Sequence, residues 1–154
     1  MQHLLGEGRL LDEQGNLAEA GYATSLVKAY SRDRVKASAL RIKEWDYYLI
    51  HNDRFGVALT VADNSYMGLV SISFLDFVRG TEVTKSPMLL LPMGRLHMPS
   101  TSEEGDVRAG GRGWNFHFEK QKDRRILRAS MENFSQGKPI RLKVELDREP
   151  QESM

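Results

Sequence analysis

RIKEWDYYLIHNDRFGVALTVADNSYMGLVSISFLDF, running from Arg41 to Phe77, decides the fold class of this chain. Side chains on a strand point to opposite faces in turn, so Trp45, Tyr47 and Leu49 share one face of a first strand. Tyr48 and Ile50 take the other. Asn52-Asp53-Arg54 reads as a turn. Phe55, Val57, Leu59 and Val61 then form an apolar face, backed by the small residues Ala58, Thr60 and Ala62. Asp63-Asn64-Ser65 reads as a second turn. From Tyr66 to Val78 the alternation weakens: Val70, Ile72 and Phe74 lie on one face, and Leu69, Ser71, Ser73, Leu75 and Phe77 on the other. A strand that is apolar on both faces is expected to be covered on both sides.

The same pattern extends outward. Beyond Gly80 two short strands are expected around Pro87, at Thr81–Thr84 and Met88–Leu91. Residues 92–113 are rich in Pro, Ser and Gly and read as a long connection, with a short strand near Val107. Trp114, Phe116 and Phe118 alternate with Asn115, His117 and Glu119, and a further strand runs over Ile126–Met131. After a turn from Asn133 to Pro139, Ile140, Leu142, Val144 and Leu146 alternate with Arg141, Lys143, Glu145 and Asp147. Upstream, residues 1–40 read as irregular, with a short helix capped by Ser31 or Asp33 and carried through Lys36, Ala37 and Ala39. Successive strands joined by short turns predict one all-β domain over 1–154, an antiparallel meander forming a barrel or sandwich.

Composition narrows the function classes. Among 154 residues, 22 basic and 21 acidic side chains leave a net charge of +1. That balance argues against a dedicated nucleic-acid surface, which needs a basic patch to displace counterions from phosphate. With no cysteine, disulfides, iron–sulfur clusters, thiolate catalysis and cysteine-ligated zinc are excluded. The opening MQHLLGEGRLLDEQG lacks the basic and apolar regions of a signal peptide. No stretch reaches the ~18 apolar residues of a membrane helix. A cytoplasmic protein without a membrane span is the expectation.

Candidate chemistry is sparse. The histidines His3, His51, His97 and His117 form none of the strong zinc spacings, and no metal site or cofactor is expected. His117 shares a strand face with Asn115 and Glu119 at steps of roughly 7 Å, a trio for ligand or acid–base work or a solvated face. Glu44 and Asp46 share a face as well, for acid–base work or ion pairs with nearby Arg41 and Lys43. Asp63 ends an apolar strand and suits a side-chain turn bond. Asp76 lies on the Val70–Ile72–Phe74 face, either at its rim or in a cavity that would raise its pKa. The catalytic candidates are therefore Asp63, Asp76 and His117. Trp45, Tyr47 and Tyr66 are the candidate ligand-binding aromatics. The Arg108–Gly113 run RAGGRG lacks the lysine and hydroxyl of a phosphate loop.

Three segments carry a family resemblance: LLDEQGNLAEAGYA (Leu10–Ala23), RIKEWDYYLI (Arg41–Ile50) and ALTVADNSYMGLVSISFLDF (Ala58–Phe77). With LPMGR (Leu91–Arg95) and the closing REPQESM (Arg148–Met154), they resemble the N-terminal half of the domain-of-unknown-function 2804 family. The resemblance implies a protein about twice this long, whose second half could cover the open face of the Tyr66–Val78 strand. It carries no established activity. A more distant fold-level analogy is to lipocalin-like proteins of the carotenoid-hydratase type. That analogy implies a calycin-type barrel, or half of a two-barrel protein, around an apolar or lipid-like small molecule. Three functions stay open: a β-barrel domain binding such a molecule; a cofactor-independent hydratase, cyclase or isomerase on a terpenoid or lipid-like substrate; and a structural domain packing on its second half or on a homo-oligomer partner.

Overall fold

A computed structural model describes residues 3–147. The REPQESM segment lies outside the described residues. Residues 3–43 are largely irregular, tied by a short parallel pairing of β1 (Gly8–Arg9) with β2 (Lys28–Ala29). The helix expected from Ser31 is instead two separate 3-10 turns, Arg32–Arg34 and Ala39–Arg41. Ser31 makes no side-chain cap bond, and Val35 takes extended backbone angles that stop the first turn. A start without a cap leaves the costly first helical turn unsupported, and the helix does not propagate.

Two antiparallel sheets follow. In sheet 1, β3 (Glu44–His51), β4 (Phe55–Asn64), β5 (Met67–Asp76) and β6 (Thr81–Lys85) pair in chain order, and β7 (Met88–Leu90) pairs with the start of β5. In sheet 2, β8 (Val107–Gly111), β9 (Trp114–Gln121), β10 (Arg124–Ser135) and β11 (Lys138–Leu146) also pair in chain order. The β4–β5 turn is tighter than its composition suggests, because Asp63 and Asn64 belong to the strand and pair with Gly68 and Met67. Ser65 then carries a φ of 69°, the positive value a two-residue hairpin loop needs at its first central position. The β10–β11 turn closes on Gln136 and Gly137, both at positive φ, so the loop expected over Asn133–Pro139 shrinks to its centre.

The inner faces of the two sheets meet in one core. Leu59, Val61, Val70 and Ile72 from sheet 1 pack with Val107, Phe116, Phe118 and Leu127 from sheet 2, all essentially inaccessible to solvent. Tyr48 meets Phe118 edge-on, with ring centroids 5.2 Å apart. The Trp114, Phe116 and Phe118 face expected from sequence is this inner layer. Among the described residues no strand pairing joins the sheets into a closed barrel. No helix among them is long and apolar enough to cross a membrane.

Candidate docking face

The outer face of sheet 1 is where the molecule departs from an ordinary soluble surface. Strand register assembles it row by row. Trp45 lies opposite Ala62, which faces Leu69 and then Met88; Tyr47 lies opposite Thr60 and Ser71; Leu49 lies opposite Ala58, Ser73 and Thr84. Down the middle runs a floor of small side chains: Ala58, Thr60, Ala62, Ser71 and Ser73. Its two serine hydroxyls are matched by neighbours, Ser71 by Ser86 at 2.8 Å and Ser73 by Thr84 at 2.7 Å. At one end Phe77 folds over Gly56, where an added Cβ would sit 3.1 Å from the ring, and meets His51 edge-on.

Large apolar side chains stand around this floor in solvent. Trp45 is 63% exposed, Tyr47 54% and Leu90 81%, with Leu49, Phe77 and Met88 also exposed. At about 150–250 Å² per large side chain, their open surface comes to roughly 700 Å². The largest apolar patch on a typical monomer is about 300–600 Å². One partner in a standard interface contributes about 800 Å².

Sheet 2 shows the contrast. Its outer face carries Arg108, His117, Glu119, Arg124, Arg128, Lys143 and Glu145, laced by ion pairs such as Arg128–Glu119 at 2.5 Å and Arg124–Glu145 at 3.6 Å. Two surface hollows of about 330 and 220 Å³ open on that sheet around Asn115, the larger also lined by Trp114, Glu132 and Arg141. Among the described residues no three His, Cys, Asp or Glu side chains gather as metal ligands.

The whole pattern matches one protein family over residues 2–154, described as a domain of unknown function, DUF2804. This chain belongs to that family. No curated protein and no solved structure matches it.

Of the residues singled out from sequence, the DUF2804 domain brings Trp45 and Tyr47 together on this face. Tyr66 does not join them: it is exposed in the β4–β5 turn, where its carbonyl accepts the Leu91 N–H. Asp63 points the other way and is wholly buried. One carboxylate oxygen accepts the Ser65 N–H at 3.1 Å and the other the Gly94 N–H at 2.7 Å. It pins the turn, as its position suggested, and also clamps the 91–95 loop. Asp76 sits at the rim, accepting the Arg79 N–H at 2.9 Å. His117 lies on the outer face of sheet 2 with Nε2 3.0 Å from Asp106. Bonds from His117 and Arg108 hold the Asp106 carboxyl down at about 2. Asn115 and Glu119 share that face, but Glu119 is engaged by Gln121 and Arg128.

Glu44 and Asp46 do form ion pairs, though not with Arg41 or Lys43. Glu44 binds the Arg32 guanidinium and the Tyr30 hydroxyl. Asp46 faces Arg125 of β10 across the two sheets, with carboxylate and Nη1 3.9 Å apart. Arg125 is 6% exposed, donates from Nη2 to the Ser102 carbonyl and lies over the Tyr48 ring. Its Nη1 is the one buried side-chain polar atom among the described residues without a hydrogen bond. Burial pushes the Asp46 carboxyl up, and burial with the adjacent Asp46 charge pushes the Tyr48 hydroxyl up to about 12. Sequence reading passed over Arg125. Its one signal was parity, since Arg125 alternates in phase with Leu127, Ala129 and Met131.

Proposed function

We propose that this domain is an interaction module, and that the outer face of sheet 1 docks onto an apolar surface of a companion β domain. The carrying observation is the roughly 700 Å² of exposed side chains around a floor whose serine hydroxyls are already matched. Covering such a face releases water from apolar surface, and the Ser71 and Ser73 hydroxyls already have partners. The family resemblance supplies a candidate occupant, a second β half that follows in the longer protein it implies.

An apolar small molecule on the same face is the second reading. It is favoured by the floor of small side chains, with Trp45, Tyr47 and Leu49 standing along its β3 side. The space between the sheets supports it less, because Phe116, Phe118, Leu59, Ile72 and Leu127 occupy that layer. The hydratase, cyclase or isomerase reading finds neither of its candidate acids on this face, since Asp63 and Asp76 belong to the inner side by strand alternation, and the carboxylate on the outer side, Glu82 opposite Leu75, is exposed at the β6 edge.

Binding of the dye 8-anilinonaphthalene-1-sulfonate tests the docking face. The isolated chain should bind dye and shift Trp45 emission to the blue, while Met88→Lys/Leu90→Lys keeps its circular dichroism and loses most dye. Absence of dye binding in the wild-type chain would overturn the reading. Native mass spectrometry of the purified protein separates the two occupants, since a retained apolar molecule of defined mass favours the small-ligand reading.

A further inference from the structure

The free edge of β3 is a second and separate feature. A strand at the edge of a sheet offers a row of unpaired N–H and C=O groups, and proteins normally blunt such edges with Pro, Lys, Gly, bulges or brevity. The other edges here follow that rule. Strand β11 carries Lys138, Pro139, Arg141 and Lys143; β8 is five residues ending in Gly110 and Gly111; β6 is five residues long and includes Lys85. Strand β3, EWDYYLIH, has no Pro, Lys, Gly or bulge, and its charges are the inward-pointing Glu44 and Asp46. Its eight residues pair with β4 in unbroken register. Among the described residues no other strand pairs with it. Its two carboxylates do not guard it either, because Arg32 and Arg125 already balance them.

We infer that β3 pairs with β3 of a second copy of this chain, antiparallel about a two-fold axis, to make one continuous sheet across two protomers. Centring the axis on Tyr47 sets Trp45 opposite Leu49 and Asp46 opposite Tyr48. The outer row is then aromatic against aliphatic, the inner row sets Asp46 beside Tyr48, and no like charges stand opposite each other. An axis on Asp46 would set that carboxylate beside its own copy, and an axis on Tyr48 would set it beside Ile50, so the Tyr47 axis is the one of the three that gives Asp46 a hydroxyl-bearing neighbour. A two-fold interface of this kind is self-complementary and closed, which stops growth at the dimer. The pairing concerns the edge, and stands whether or not the apolar face docks a partner.

Sedimentation equilibrium with amide hydrogen exchange over residues 44–51 tests it. The wild-type chain should sediment at twice the monomer mass, with every β3 amide protected, including the alternate set that points away from β4. Tyr47→Lys places two ammonium groups opposite each other at the axis. It should give a folded monomer whose outward amides exchange fast; Leu49→Lys serves the same end if the first variant does not fold. Met88→Lys/Leu90→Lys should remain dimeric while losing dye binding, which separates edge pairing from face docking. A wild-type monomer overturns the inference, as does a dimer whose outward β3 amides exchange freely or one that survives both lysine substitutions.

Discussion

Replacing Arg125 with methionine removes the charge that links the two sheets and leaves the aliphatic volume largely in place. At 3.9 Å from Asp46 the attraction is worth about 4 kcal/mol at an effective dielectric of about 20. The net loss is smaller, because the unbonded Nη1 carries a burial cost of about 1–3 kcal/mol that the substitution relieves. Asp46 also keeps partial access to water through its 24% exposed side chain. Arg125→Met should therefore destabilise by about 2–3 kcal/mol at neutral pH, chiefly by leaving a half-buried carboxylate without its cation. The sign of the pH dependence follows from Asp46. Burial raises its folded pKa above the ordinary value of 3.8, so its ionisation already costs stability as pH rises from 3.8 through the folded value. Without Arg125 that cost grows, and at low pH, where Asp46 is protonated, it needs no partner. The difference should then fall to about 1 kcal/mol, reflecting the lost bond to Ser102 and the contact with Tyr48. Urea denaturation followed by the half-buried Trp114 at pH 7 and pH 4 measures both values, and Arg125→Met/Asp46→Leu should recover most of the neutral-pH loss. An equal loss at the two pH values, or no recovery in the double variant, would refute the electrostatic account.

Asp63→Asn should cost about 1–3 kcal/mol, because one carboxylate oxygen becomes an amide donor facing either the Ser65 or the Gly94 N–H; amide exchange should rise at one of those two positions, and an unchanged exchange pattern would contradict the clamp. Asp106 should titrate at about 2 by carboxyl carbon NMR, and His117→Leu should move it back toward 3.8, since His117 is the largest cause of its depression. Because that folded value lies below the unfolded one, the Asp106 contribution to stability is present above about pH 4 and lost as the pH falls toward 2; a normal wild-type value would remove it.

Much of the fold was legible because a strand's period of two is written into a single segment. The inner and outer sets of β3 and β4 follow directly from the Arg41–Val61 pattern, and the two largely apolar faces of β5 marked it as a central strand, paired on both sides by β4 and by β6 and β7. The short helix was misread from cap-type residues, since a cap acts only when the chain behind it has reason to propagate. Turn boundaries slipped for a related reason. Asp63 and Asn64 look like turn formers, yet pairing with Gly68 and Met67 holds them in the ladder, and Ser65 absorbs the positive φ.

By itself the sequence determined the strands, which face each side chain takes and the family to which the chain belongs, because these depend on spacing and identity along one segment. Only the tertiary structure decided which apolar face is buried, that Asp46 meets Arg125 across the two sheets, and that among the described residues β3 lies at a sheet edge paired with β4 alone. Those outcomes rest on contacts between residues far apart in the chain. Such contacts are set by how two sheets of similar pattern stack, and no local spacing encodes that choice.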